Sequence, residues 1–247
     1  VQEIVVSTPL PFDPASAGAA PRLLVSVRDA EEALAVALAG ADLVDAKDPE
    51  RGALGALPVA TVRSLVVRVG GRAVTSAVAG EPANGADLSP CVAAMAATGV
   101  DYVKVAVRAG FSDAALAEAA AAAPGRLIAV LFAEHPPAPD LVARLRGAGF
   151  VGAMIDTATK DGRRLPDLLS AAPLAAFTQA CRDHGLVSGL AGSLALTDIE
   201  PLAALGAHYL GFRGGLCRGS DRTHGLDPAR VAEAVETLRS CTRRNAA

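Results

Sequence analysis

Tyr102-Val103-Lys104-Val105-Ala106-Val107 is a six-residue run rich in β-branched and aromatic side chains. An alanine-rich stretch with helical spacing follows over 112–123, and then a second apolar run, Leu127-Ile128-Ala129-Val130-Leu131-Phe132. Apolar runs of this length separated by a helical period predict strand, helix, strand. Lys104 stands in the middle of the first run, with Tyr102 and Ala106 on its face and Val103 and Val105 on the other. An amine turned into a helix layer there would be a buried, unpaired charge costing several kcal/mol. The expectation is that it points toward the mouth of whatever the strands enclose.

The same alternation extends in both directions. Strand signals precede it near 23–27, 43–47 and 73–78, and follow it near 152–157, 187–192 and 209–214. Helical stretches lie between them over 28–38, 59–69, 88–98, 138–147, 165–184 and 198–205, and a last one runs over 228–241. Gly40, Gly70, Gly99, Gly149, Gly185 and Gly206 stand where these helices should stop, as a left-handed helix end requires. Eight strand–helix units in about 250 residues predict an α/β fold, a (β/α)8 TIM barrel. An open doubly wound sheet would share the alternation, but no GxGxxG follows the first strand and the eighth unit completes the barrel count. Residues 22–247 are read as one catalytic domain, with residues 1–21 a proline-rich N-terminal arm.

With 51% hydrophobic and 20% charged residues, the 247-residue chain supports a large core and is not a disordered protein. Its net charge is −3 and its arginines are dispersed without interleaved aromatics, which argues against nucleic acid as a partner. Cys91, Cys181, Cys217 and Cys241 lack metal-ligand spacing and read as free thiols in a reducing compartment. The opening residues carry acids and no basic segment, and no apolar run is long enough to span a bilayer. A cytoplasmic enzyme acting on a small molecule is expected, with no membrane partner. Self-association into a homo-oligomer through the outer helices is expected too.

Of the 23 basic residues only Lys47, Lys104 and Lys160 are lysine, and each lies in or just after a strand signal. Arginine serves wherever a permanent charge suffices, but only lysine can lose its proton and form an imine with a carbonyl. The three map to strand 2, strand 4 and the loop after strand 6, with Asp45 and Asp156 close by in sequence. Period-2 alternation puts Asp45 and Lys47 on one face. Active sites of such barrels form at the C-terminal strand ends, so the five residues are expected to meet in one cavity. Clustered ammonium groups there would depress one another's pKa and favour nucleophilic amine.

Glycine-rich loops follow strands 7 and 8, at Leu190-Ala191-Gly192-Ser193 and Gly211-Phe212-Arg213-Gly214-Gly215. These are the two places where a barrel holds a phosphate on backbone N–H groups. Gly192, Ser193, Arg213, Gly214 and Gly215 are therefore candidate phosphate ligands, with a turn of Arg213 toward the helices as the alternative for that side chain. Arg218, Arg222 and His224 form a polar segment beyond strand 8, a weaker candidate for anion contact. His135, His184, His208 and His224 share no ligand spacing, and no metal is expected. Asp48-Pro49-Glu50-Arg51-Gly52 reads as a loop after strand 2, either covering the site or, more simply, solvated.

The motifs Asp45-Ala46-Lys47-Asp48-Pro49, Gly52-Ala53-Leu54-Gly55-Ala56, Tyr102-Val103-Lys104, Asp156-Thr157-Ala158-Thr159-Lys160-Asp161-Gly162 and Leu190-Ala191-Gly192-Ser193-Leu194 occur in that order. This string, over about 22–240, resembles the (5-formylfuran-3-yl)methyl phosphate synthase family of methanofuran biosynthesis, also called 4-(hydroxymethyl)-2-furancarboxaldehyde phosphate synthase. The resemblance implies a cofactor-free barrel lyase that condenses two glyceraldehyde 3-phosphate molecules into a furan aldehyde phosphate, losing phosphate and water. It also implies that Lys47 forms the Schiff base and that Lys104, Lys160, Asp45 and Asp156 are its acid–base partners. Two other readings stay open on the residues alone: a different imine-forming triose-phosphate aldolase, and a non-catalytic barrel that binds phosphometabolites.

Overall fold

The computed structural model describes residues 21–135, 138 and 140–245, so the arm expected over 1–21 lies outside the described residues except for Pro21. Strands β1 (Arg22–Val27), β2 (Leu43–Ala46), β3 (Val74–Val78), β4 (Tyr102–Ala106), β5 (Leu127–Phe132), β6 (Gly152–Asp156), β7 (Val187–Ala191) and β8 (Tyr209–Phe212) form one closed barrel. They pair in sequence order, all parallel, and β8 closes on β1. Helices α1 (Ala30–Leu38), α2 (Val59–Val69), α3 (Leu88–Ala96), α4 (Asp113–Ala122) and α5 (Leu141–Ala148) follow the first five strands. After β6 and β7 come α6 (Leu165–Leu168), α7 (Ala171–Asp183) and α8 (Ile199–Ala203), and α9 (Pro228–Asn245) follows β8. The expected TIM barrel is the fold.

One helix differs from expectation. The stretch 165–184 divides into α6 and α7, with Leu169 extended at φ −129 and ψ 125. Pro173 lies in the first turn of α7, where its missing N–H costs nothing; deeper inside a continuous helix it would remove a hydrogen bond and clash. Elsewhere the ends fall within a few residues of their sequence signals. The backbone turns left-handed at Gly70 (φ 56) and Gly149 (φ 99), which cap α2 and α5.

Alternation along the strands feeds two cores. Val103, Val105, Ala129 and Ile155 face the helix layer, while Tyr102, Ile128, Val130, Met154 and Tyr209 fill the barrel. Strands buried on both faces are the rule for parallel sheets. The interior is not filled evenly. On β6, β7 and β8 the inward positions include Gly152, Gly189 and Gly211, and the Tyr209 ring occupies the room a side chain at 189 would need. Bulk is thereby concentrated low in the barrel and space is left above it.

A Cβ at Gly189 would overlap the Tyr209 ring, whereas one at Gly147 in α5 meets nothing within 4 Å. Gly189→Ala is expected to lower the unfolding free energy by about 1–3 kcal/mol through overpacking. Gly147→Ala is expected to raise it by about 0.5–1 kcal/mol through helix propensity. Urea denaturation of both variants checks the opposite signs.

Candidate active site

The strand register fixes the first part of the site. Asp45 in β2 is level with Ser26 in β1 and Ser76 in β3. Both hydroxyls donate to its carboxylate, Ser26 Oγ to Oδ2 at 3.0 Å and Ser76 Oγ to Oδ1 at 2.7 Å. Lys104, one strand further on, places Nζ 2.8 Å from Asp45 Oδ2. Both residues are buried, Lys104 with 2% and Asp45 with 0% of its surface exposed. A carboxylate with three donors and an ammonium facing it is a buried pair whose desolvation is offset by hydrogen bonds.

The second part sits nearer the mouth. Asp156 ends β6, and its Oδ1 accepts from the Thr157 N–H at 2.7 Å and from Lys160 Nζ at 3.0 Å. Lys160 Nζ also donates to Thr157 O at 2.7 Å and to Thr157 Oγ1 at 2.9 Å. Lys47 lies just past β2, held by its N–H on Val27 O, with Nζ 3.5 Å from Asp156 Oδ2. Asp156 thus stands between two amines. Glu134 accepts from the N–H groups of Ala158 and Thr159 and from Thr159 Oγ1, which holds the turn that brings Lys160 back over the strand end.

These environments shift the proton affinities. Burial pushes Lys104 below the usual lysine value, with the Asp45 carboxylate opposing and Lys47 reinforcing. Burial also lowers Lys160, opposed by Asp156 and aided by Lys47. For Asp156 burial acts to raise the pKa, but Lys160, Lys47 and the hydrogen bonds to the carboxylate outweigh it and hold the group well below the ordinary carboxylate range. The arrangement keeps a permanent anion beside Lys160, whose ammonium is easier than usual to deprotonate.

Above the cluster lies a cavity of about 540 Å³ lined by Lys47, Lys104, Asp156 and Lys160 and by the loops after β7 and β8. Gly192 (φ 122) and Gly215 are required by close approach. A Cβ at 192 would lie 2.7 Å from Thr157 Cγ2, and one at 215 would collide with Leu194 O. Ser193 holds φ 50, a left-handed conformation that a non-glycine residue adopts only when its surroundings enforce it. Ser193, Gly214 and Gly215 line the cavity, and among the described residues their N–H groups have no backbone acceptor.

Arg213 departs from its expected role as a phosphate ligand. Its Nε donates to Arg222 O, Nη1 to Ser26 O and Glu32 Oε2, and Nη2 to Glu32 Oε1 and His224 O. All five N–H groups are committed, so the guanidinium braces the β8 loop against β1 and α1.

In the segment after β2, Glu50, Arg51 and Gly52 are exposed as a solvated loop requires, while the residues on either side fold it back on the barrel. Asp48 and Gly55 pair as an antiparallel bridge, and Ala53 and Leu54 are buried against the barrel interior. At Gly55 a Cβ would lie 2.6 Å from Asp48 O, so only glycine closes this loop. Sequence reasoning also passed over Ser26, Ser76, Glu134 and Thr157. The first two were findable as polar residues at inward positions of otherwise apolar strands. Among the described residues the histidines do not join the site, and no group of three or more His, Cys, Asp or Glu side chains is placed to hold a metal. No helix among them is long and apolar enough to cross a membrane.

A family model described as 4-HFC-P synthase matches residues 23–235. A Methylorubrum extorquens protein provisionally named as a (5-formylfuran-3-yl)methyl phosphate synthase is 64% identical over 229 residues, covering 93% of this chain and 96% of its own. The (5-formylfuran-3-yl)methyl phosphate synthase of Methanothermobacter thermautotrophicus is 36% identical, covering 88% and 99% respectively. Among solved structures, phosphoribosyl anthranilate isomerase from Thermotoga maritima superposes with a TM-score of 0.62 at 13% identity, covering 89% of this chain and 99% of that one. KGPDC from Streptococcus mutans superposes with a TM-score of 0.64 at 12% identity, covering 90% and 98%. At such identities the structural likeness speaks for the fold alone.

Because the Asp156 carboxyl is held below its ordinary value of 3.8, the folded protein keeps the charge where the unfolded chain takes up a proton. Its stabilisation is complete above that ordinary value and is lost as pH falls through it toward the folded value. Asp156→Asn is expected to be less stable than the parent by on the order of 3 kcal/mol at neutral pH. The gap should shrink as pH falls below 3.8, as measured by urea unfolding across an acid pH series.

Proposed function

The chain belongs to the 4-HFC-P synthase family, and on that premise we propose that it condenses two molecules of glyceraldehyde 3-phosphate through an imine on Lys47. The product is 4-(hydroxymethyl)-2-furancarboxaldehyde phosphate, formed with loss of one phosphate and of water, for a methanofuran-type one-carbon cofactor. In this reading the enzyme is a carbon–oxygen lyase that works without a cofactor.

The observation that carries the reading is the unequal tethering of three amines around two carboxylates. Lys104 is bonded to Asp45 at 2.8 Å, and Lys160 donates to three oxygens within 3.0 Å. Lys47 is only in longer contact with Asp156, at 3.5 Å, and it lines the cavity. It is the amine with most freedom to reach a carbonyl. Attack by its neutral form and loss of water give the imine, which makes the adjacent C–H acidic. Lys160 and Lys104, with pKa values shifted toward neutrality, suit the proton transfers that form the enamine and protonate leaving groups. Asp156, which stays ionised, suits stabilisation of the positive imine nitrogen beside it. Asp45 holds Lys104 in place. The enamine attacks the second aldehyde, and phosphate elimination, ring closure and dehydration complete the aromatic ring. Gly192, Ser193, Gly214 and Gly215 offer backbone donors to a substrate phosphate, with Arg213 supporting that loop from behind.

Incubation with glyceraldehyde 3-phosphate and borohydride should fix a covalent adduct on Lys47, located by peptide mass mapping. Turnover without borohydride should give a product with the near-ultraviolet absorption of a furan aldehyde. Lys47→Arg is expected to keep the charge and fold and to lose turnover by several orders of magnitude, as removal of a nucleophile does. Near-normal turnover in that variant would move the imine to Lys104 or Lys160, and an aldol product without furan absorption would leave an ordinary aldolase.

A further inference from the structure

The cavity wall holds three arginines in addition to the lysines: Arg164, Arg213 and Arg222. Two already have counter-ions. Arg164 pairs with Asp198 at 2.9 Å and Asp167 at 3.5 Å, and Arg213 with Glu32 at 2.6 Å. Arg222 differs. It is half-buried, it donates Nη2 to Gly52 O at 2.7 Å, and among the described residues it has no carboxylate within 4 Å. Burial lowers its proton affinity, the more distant Asp156 and Asp48 oppose that only in part, and Arg213 adds repulsion. A guanidinium drawn half out of water without a counter-ion is unfavourable in isolation. A phosphate dianion in the cavity would relieve it by charge-assisted hydrogen bonds.

The backbone presents this side chain deliberately. Gly219 (φ 64) and Ser220 (φ 59) turn the chain back toward the mouth through left-handed conformations. Arg213 Nε then holds Arg222 O at 2.9 Å, and Arg28 holds Thr223 O at 2.9 Å. The turn seats Arg222 beside Gly214, where a Cβ would stand 3.6 Å from Arg222 Cβ. Its side chain lies next to the unpaired N–H groups of the β8 loop, and it reaches across to the segment that starts at Lys47.

We propose that Arg222 is the cation of the phosphate subsite, completing with the Ser193, Gly214 and Gly215 N–H groups a receptor for a phosphate monoester. This deepens the reading of the cavity as a triose-phosphate site and rests on it for the identity of the ligand. Because the same guanidinium bonds Gly52 O, it ties the β8 loop that grips the phosphate to the segment that follows Lys47. Unphosphorylated carbonyl compounds forgo the phosphate contact.

Glycerol 3-phosphate tests this without chemistry, since it carries the phosphate but no carbonyl and forms no imine. Titration calorimetry and thermal unfolding should show that the parent binds it, more weakly as salt is raised, and does not bind glycerol. Arg222→Gln is expected to weaken binding by about tenfold or more, the loss of a charge-assisted pair. Arg164→Gln, which removes the same charge from the same wall but one already paired, should stay within a few-fold of the parent. Unchanged affinity in a folded Arg222→Gln protein overturns the proposal. Should that variant not fold, Arg222→Met, which keeps the apolar stem and removes the charge, takes its place: a loss of about tenfold or more supports the proposal and unchanged affinity again overturns it. If the Arg222 dependence holds while borohydride traps nothing on Lys47, the phosphate site stands and the imine chemistry falls. An adduct on Lys47 with Arg222-independent binding has the reverse meaning.

Discussion

Two carboxylates shared among three amines are what allow five charged groups to be gathered in the mouth of this barrel. Asp45 takes Lys104 and the hydroxyls of Ser26 and Ser76; Asp156 takes Lys160 and stands 3.5 Å from Lys47. Each carboxylate ties together elements far apart in sequence. Asp45 links β1, β2 and β3 at one level and reaches Lys104 two residues higher on β4, and Asp156 links the end of β6 to the end of β2. Taken alone, any one of these charges would be expelled or neutralised. Taken together they leave one positive charge more than negative when all are ionised, beside a cavity with room for an anion.

The unequal filling of the barrel follows from the same demand. Ammonium groups on long, flexible stems need walls that fix them, and on β1 to β4 serines and the tyrosine of Tyr102 supply polar atoms and bulk. On β6 to β8 the inward glycines withdraw side chains, and the cavity opens against that side. A barrel packed uniformly would have buried the charges without leaving space for a ligand. This one spends its bulk, above all Tyr209, beneath the site.

The sequence read cleanly where local physics decides. Eight strands and most helix ends were visible because apolar runs and terminal glycines are properties of short segments. The grouping of Lys47, Lys104 and Lys160 with Asp45 and Asp156 was also legible, since strand parity and barrel closure together dictate where inward residues meet. What failed depends on contacts between distant loops. The glycines around Arg213 suggest a phosphate contact but leave a turn toward the helices equally open, and Glu32, 181 residues away, claims its fork. The charges of the segment after β2 mark it as solvated, and Glu50 and Arg51 are exposed, but they do not tell that Ala53 and Leu54, just beyond them, anchor it in the interior. The division of 165–184 was within reach, because Pro173 forbids a continuous helix there.

The contrast between arginine and lysine is therefore finer than a split between surface charge and chemistry. Arginine enters the mouth as well, and its use there is set by whether a carboxylate answers it. Arg213 and Arg164, answered by Glu32 and Asp198, are struts whose forks are filled by the protein. Arg222 bonds a carbonyl, at Gly52, and among the described residues no carboxylate stands within 4 Å of it. A guanidinium cannot relieve burial by losing its proton in the way that Lys104 and Lys160 can move toward neutrality. Its remaining route to compensation is an anion from outside, so the residue least able to do acid–base chemistry becomes the one most dependent on a ligand.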